Sequence, residues 1–335
     1  LAWKNREEIW FTAARDNASR SVWAVRRDGG LRAVGQAPGM LTLRDIAPDG
    51  RILLSVESRR LEMAGAMAGE QRERDFSLTD WSRVQQLSPD GTLLLFDESG
   101  EGAGWRSVTY IRKTQSGETV RLREGLAQGF DDAGSSAFVL SEDRTRLWRV
   151  PVSGGTGEEL LSSGLIYQWA RPFPDGSRLL VLANLPQQPL RLYVQTVKTG
   201  KASPLTGPLM VRNASASADG SSVAILSPEG KLLLYATNGE APREIASVEP
   251  LAPIRWSKDG EWLFVMHLRA SVQSSARVSR LRIATGEMRP WKVLTPADTI
   301  GVNSITGMTI ADDEKSYVYS YRRVLSDLSI AEGWK

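Results

Sequence analysis

Along this chain, short unbroken apolar runs alternate with clusters of Ser, Pro, Asp and Gly. In Leu87–Phe96 the residues Ser88-Pro89-Asp90-Gly91 spell a turn. Proline presets φ at the first corner, aspartate bonds its own backbone, and glycine accepts a positive φ without strain. Leu93 to Phe96 follows, too short for a self-standing helix and apolar at every position. That is how a strand reads when both of its faces are covered. The phrase recurs with turn glycines at Gly50, Gly91, Gly134, Gly176, Gly220 and Gly260, spaced by 41, 43, 42, 44 and 40 residues. Degenerate copies at Asn5-Arg6 and Asp312-Asp313-Glu314 bring the total to eight.

Each turn leads into a β-rich run, such as Ile52-Leu53-Leu54, Leu179–Leu182 or Trp262–Val265. A second glycine turn falls 19 to 26 residues later, for example at Gly117, Gly154, Gly200 and Gly239. The strand before it alternates, with Leu190, Leu192 and Val194 set against Arg191, Tyr193 and Gln195, as a half-buried strand does. Four strands at this period make one propeller blade, and a lone blade cannot bury both faces, so blades must stack. No segment sustains a helical period; Arg72–Trp81 comes nearest and reads equally well as an outer strand plus the next leading strand.

The pattern therefore predicts an all-β fold: a β-propeller of about eight four-stranded units, forming a single domain over residues 1–335. The units run roughly 1–45, 46–86, 87–129, 130–170, 171–214, 215–253, 254–307 and 308–335. Seven blades, or part of a longer multi-propeller region, are the alternatives. The last unit has only Tyr317–Tyr321 and Leu328–Ala331, so an N-terminal segment is expected to pair beside it, or one blade stays short.

Net charge is +3 with a pI near 9.1, and the basic residues are scattered arginines without a run of like charge. A nucleic-acid-binding tail is therefore not expected. The chain has no cysteine, which excludes disulfides, thiolate metal sites and cysteine nucleophiles. No apolar stretch approaches the roughly 18 residues of a membrane helix. The opening Leu1-Ala2-Trp3 reads as the inside of a strand, so a piece of a longer protein is expected.

Candidate chemistry is sparse. The only histidine, His267, reads as a strand-end residue. There is no Gly-x-Ser-x-Gly elbow, and Ser99–Gly104 lacks the Gly-Lys-Ser/Thr ending of a phosphate loop. Carboxylate pairs stand at Glu7-Glu8, Asp131-Asp132, Glu158-Glu159 and Asp312-Asp313. Such pairs could serve glycoside chemistry or hold calcium, but Asp132 and Asp313 sit in the repeat turn, where aspartate serves the backbone. Of the eleven tryptophans, Trp3, Trp81, Trp169 and Trp256 precede turns and are expected between blades, with Trp105 the exposed one. No catalytic, cofactor-binding or metal-binding residue is assigned. Binding is expected where the copies differ: the acidic glycine loop Asp97–Gly104, the stretches Arg269–Arg277 and Leu294–Ile305, and the channel mouth.

The Ser-Pro-Asp-Gly repeat resembles the propeller repeat of TolB-type (WD-like) proteins over nearly the whole chain. The segment from Ser316-Tyr317-Val318-Tyr319 through Ile330-Ala331-Glu332-Gly333, with Trp3 to Thr12 and Tyr193-Val194-Gln195, resembles the C-terminal propeller region of bacterial, acidobacterial-type serine/threonine protein kinases. In these, a kinase domain and a membrane helix precede the propeller; no kinase residue carries over to this chain. The resemblance implies a non-catalytic, periplasmic sensor domain of an inner-membrane kinase, possessing no cofactor. Its partner would be a small ligand or an envelope protein, its membrane link only an upstream segment, and its parent a possible dimer. A stand-alone TolB-like periplasmic scaffold is the second reading, a propeller hydrolase the third, and a cytoplasmic location the alternative.

Overall fold

The computed structural model describes residues 1–14, 20–36, 40–100, 106–162, 164–209, 211, 213–245, 249–268 and 274–334. The described residues are all-β, and no helix is long and apolar enough to cross a membrane. Two compact units divide the chain. The larger comprises Leu61–Thr299 and Ser304–Tyr321, the smaller Leu1–Arg60, Ile300–Asn303 and Arg322–Lys335.

The larger unit holds five four-stranded antiparallel sheets in chain order. The first consists of Ser82–Leu87, Leu93–Glu98, Val108–Lys113 and Thr119–Glu124. The second has Leu126–Phe130, Ser136–Leu140, Leu147–Pro151 and Glu158–Glu159. Ile166–Pro172, Arg178–Asn184, Arg191–Thr196 and Ala202–Pro204 form the third. The fourth contains Ala214–Ala216, Ser222–Leu226, Leu232–Ala236 and Arg243–Ile245. Leu251–Trp256, Trp262–His267, Ala276–Arg282 and Met288–Leu294 complete the fifth.

The unbroken apolar runs are second strands, and their neighbours explain why every position is apolar. Leu94 and Phe96 face one hydrophobic cluster while Leu95, between them, faces the next. Ala137 and Val139 share the cluster of Leu95, whereas Phe138 and Leu140 join Leu179, Val181 and Ala183. Leu180 and Leu182 then pack with Val223 and Ile225, and Ala224 turns to Leu263 and Val265. Each sheet is thus sandwiched between two others. Every large side chain so buried contributes about 1.5–3 kcal/mol.

A composite sheet closes the series. Strand pairing runs from Arg74–Asp75 to Ile52–Ala66, to Tyr317–Ala331, to Val302–Ile310. The larger unit takes residues 61–66, 74–75, 304–310 and 317–321 of these strands. Gly65 permits the join, because a Cβ there would overlap the Tyr317 carbonyl. The hydroxyls of Tyr317 and Tyr319 donate to the two oxygens of Glu73 at 2.6 and 2.7 Å. Burial and that carboxylate push both phenols far above their ordinary pKa. Met63, Phe76 and Val318 pack against Leu94 and Phe96, so the composite sheet abuts the first blade. The strand that pairs beside the last repeat in the larger unit thus comes from the second repeat, residues 61–66, and not from the first.

The smaller unit pairs Ala2–Trp3, Glu8–Ala14, Arg20–Arg26 and Leu31–Gln36 as an antiparallel meander, and Met40–Ile46 with the start of Ile52–Ala66. Its core is Trp10, Val22, Ala24, Leu41, Leu43, Ile52 and Leu54. The structure differs here from one eight-unit ring over 1–335. Residues 1–60 build their own core, and the second repeat is shared, leaving five blades and a composite sheet in the larger unit. The physical reason is that a sequence period counts turns and apolar runs, whereas hydrogen bonding decides which sheet each strand joins.

Candidate functional site

In each of the five blades the repeat turn follows the first strand, and these five strands together with Val302–Ile310 surround a cavity of about 460 Å³ in the larger unit. It is bordered by Gln85, Gln128, Arg171, Ser215, Arg255 and Thr309, one from each sheet, and by the turns beyond them. The cavity is therefore the Asp-Gly end of a central channel.

Bulges shape its wall. Pairing shifts register between Val84 and Gln86, Ala127 and Gly129, Tyr167 and Trp169, and Pro253 and Arg255. A bulge leaves one residue out of the ladder and re-aims its side chain. The extra residues are Gln85, Gln128, Gln168 and Ile254. A bulge also frees backbone groups, which buried sites must satisfy.

A closed series of hydrogen bonds between neighbouring sheets does so. Leu87 N donates to Thr309 Oγ1 at 3.0 Å, Phe130 N to Gln86 Oε1 at 2.8 Å, and Ala170 N to Gln128 Oε1 at 2.7 Å. Arg171 Nη1 donates to Ala214 O at 2.6 Å and Trp256 Nε1 to Ser215 O at 3.0 Å. Arg255 closes the circle, with Nη1 on Ile310 O at 2.6 Å and Nη2 on Asp312 Oδ1 at 2.8 Å. Every seam from the composite sheet through the five blades and back is bridged.

The turn carboxylates serve the backbone. Asp90 accepts from Ser88 Oγ at 2.6 Å and Thr92 N at 3.0 Å, and these bonds hold it below the usual carboxylate range. Asp219 with Ser217 and Ser221, and Asp259 with Ser257 and Glu261 N, repeat the pattern. In the second blade the role falls to Asp131 rather than Asp132. Burial raises Asp131, but Arg149 at 2.7 Å, Ser136 and Ser135 together hold it low. Asp313 accepts from Lys315 N and Ser316, while Asp312 pairs with Arg255. Of the other carboxylate pairs, Glu8 is buried against Trp10 and Arg32 in the smaller unit, and Glu158-Glu159 is an exposed outer strand.

Asp97 and Glu98, expected in an acidic loop, belong to the strand Leu93–Glu98 and are buried. Asp97 accepts from Ala127 N, Gln85 and Arg83, and Glu98 from Thr79, Trp81 and Ser82. Burial raises the Asp97 carboxyl despite Arg83. The rest of that loop at 101–105, including Trp105, and 269–273 of the seventh-unit insertion lie outside the described residues. Trp256 is buried at a seam, Trp169 stacks with Arg171 at 5.1 Å, and Trp3 is exposed.

His267 stands at its strand end in a chain that sequence gave no hint of. Nδ1 lies 2.7 Å from Glu249 Oε1, and Nε2 lies 2.8 Å from Ser279 Oγ. The order is that of a catalytic triad. Ser279 is only 2% exposed, however, and offers no surface to a substrate. The chain ties the second and third strands of its blade. Among the described residues no group of three His, Asp or Glu side chains is placed to hold a metal ion.

The glutamines of the cavity wall were not among the residues expected to line a site. The signal was a polar residue six positions ahead of the turn glycine, as Gln85 is to Gly91 and Gln128 to Gly134.

Comparison with known proteins agrees on the fold. Residues 191–314 match the lipoprotein LpqB β-propeller domain. No curated protein matches the chain. A solved structure described as TolB from Agrobacterium tumefaciens is 17% identical, with a TM-score of 0.58 over 80% of this chain and 99% of that one. An oligogalacturonate lyase from Vibrio parahaemolyticus is 16% identical, with a TM-score of 0.51 over 76% of each chain. At these identities the likeness is one of fold: the chain contains a TolB-like β-propeller.

Proposed function

We propose that this chain is a non-catalytic binding propeller, and that it takes up its ligand or protein partner at the Asp-Gly end of the channel. The observation that carries the reading is the cavity itself. All six sheets converge on it, their inner side chains vary from blade to blade, and its size suits a small ligand or the tip of a peptide. The likeness to TolB and the LpqB domain favours protein binding outside the cytoplasm, in the periplasm. Within this reading, the kinase-like C-terminal segment favours a sensor domain attached to a membrane-anchored serine/threonine kinase. A stand-alone periplasmic scaffold uses the same site.

A photo-crosslinking amino acid at Lys258, an exposed residue bordering the cavity, tests the site in living cells. The control position is Glu159 on an exposed outer strand. A covalent adduct from position 258 and none from 159 is expected; adducts from 159 alone would place binding elsewhere. The reading frame upstream of Leu1 separates the two forms. A kinase domain and a membrane helix are expected there, and their absence leaves the scaffold.

A further inference from the structure

Among the described residues two guanidinium groups border the channel cavity, and they are not equivalent. Arg255 is committed on all sides: Nε donates to Trp256 O, Nη1 to Ile310 O, and Nη2 to the Asp312 carboxylate. Arg171 donates through Nη1 to one backbone carbonyl, Ala214 O. Its guanidinium carbon lies 5.1 Å from the Trp169 ring centroid, and among the described residues it has no carboxylate partner. Burial alone pulls its pKa below the ordinary arginine value. Arginine keeps its proton regardless, so the cavity wall carries a held, half-buried positive charge.

The other charges at the cavity are answered or lie at its rim. Asp131 is paired with Arg149 and Asp312 with Arg255. Asp132 and Lys258 are exposed members of the Asp-Gly turns. The glutamines make bonds as well, Gln86 accepting from Phe130 N at 2.8 Å. Gln85 donates to Asp97, and Gln128 accepts from Ala170 N and donates to Leu126 O. Among the described charged groups held in the wall rather than at its rim, Arg171 keeps an edge of its fork for an incoming molecule.

From this geometry we infer that Arg171 anchors a carboxylate of the ligand that enters the channel; the inference rests on the binding reading above and names the chemistry of that same site. A planar guanidinium presents two parallel N–H donors that match a carboxylate. The Ala214 carbonyl and the Trp169 ring fix the plane before any ligand arrives, which lowers the ordering cost of binding. The single open edge of the fork engages the two oxygens of one carboxylate. The carboxylate can come from a small organic acid or from an acidic side chain of a peptide.

Calorimetric titration of the full chain with three probes tests this: succinate, the peptide acetyl-Gly-Glu-Gly-amide, and its Gln counterpart. The expected result is one-to-one binding of succinate or the Glu peptide and none of the Gln peptide. Arg171→Met is expected to weaken that binding at least tenfold, with Arg171→Lys intermediate because it keeps the charge and loses the fork. Cooperative urea unfolding of Arg171→Lys establishes that the ring is intact. Tighter succinate binding identifies a small acid as the source, and tighter Glu-peptide binding identifies a protein. The anchor is overturned if neither acid binds, if the Gln peptide binds equally well, or if Arg171→Met leaves the affinity unchanged. Crosslinking at position 258 with any of those outcomes removes the anchor and leaves the binding site standing; loss of both removes the site.

Discussion

The Asp-Gly turns of the larger unit and the inner strands that lead into them are neighbours in sequence but follow opposite rules. The turns solve a local problem with local groups. In Asp90, Asp219 and Asp259 the carboxylate takes the hydroxyl of a serine two residues before it and a backbone N–H two residues after it. The inner strands must satisfy a group on the next sheet, roughly 40 residues away or more, and the six seams do this in four ways. One uses a threonine hydroxyl, two use glutamine amides, two use donors onto backbone carbonyls, and one uses an arginine with an aspartate. Repetition therefore marks what holds a blade in shape. Variation marks what faces the channel.

If the seams bear more of the ring's stability than the turns, breaking the arginine seam should cost most. Arg255→Met removes two bonds to the composite sheet and strands the Ile310 carbonyl and Asp312. A loss of about 3 kcal/mol is expected by urea unfolding, since bonds from charged groups are worth about 1.5–3 kcal/mol each and the ion pair is half-exposed. A loss under about 1 kcal/mol would remove the seam from the comparison. Gln128→Leu keeps the volume but leaves Ala170 N without its acceptor. It should cost about 2 kcal/mol, the penalty of an orphaned buried donor.

The sequence made the turns and the two-sided burial readable because both are local. Pro89-Asp90-Gly91 is a turn on its own terms, and Leu94, Leu95 and Phe96 announce that both faces are covered. Closure was only half legible. The missing strands at the last repeat were visible, but the bonds of Glu73 to Tyr317 and Tyr319 span more than 240 residues. No period reveals such a pairing. Nor could the wall of the site be read in advance. Gln128 looks like an outward strand residue until a bulge turns it, and Arg171 looks like any of the scattered surface arginines. Asp97 and Glu98 looked like loop because the partners that bury them, Ala127 N and Ser82, lie on other strands.

Turn substitutions should be smaller and uniform. Asp219→Ala removes the acceptor for Ser217, Ser221 and a backbone N–H and should cost about 1 kcal/mol. Asp90→Ala and Asp259→Ala should fall within about 0.5 kcal/mol of it, because each loses the serine hydroxyl and the backbone N–H, Asp259 lacking only the second hydroxyl. A wide spread among the three, measured by urea unfolding at neutral pH, would mean that the turns also carry blade-specific work.

The smallest effect separates the two classes by sign rather than size. Hydrogen bonds lower the carboxyl of Asp219, chiefly from Ser217 and Ser221. Its folded pKa lies below the unfolded value of about 3.9, so its stabilisation is complete above that value and fades as pH falls through the folded one. Asp97 runs the other way. Burial raises it above the unfolded value, so its contribution favours folding at low pH and is lost as pH rises through the raised pKa. The asparagine variants keep the shape and remove the titration. Relative to the unsubstituted protein, Asp219→Asn should therefore become less stable as pH rises from about 3 to 7, and Asp97→Asn more stable over the same interval. Urea midpoints across that range decide it. Slopes of the same sign would show that Asp97, whose oxygen reaches the backbone of the next blade, titrates as a turn carboxylate does and not as a seam group.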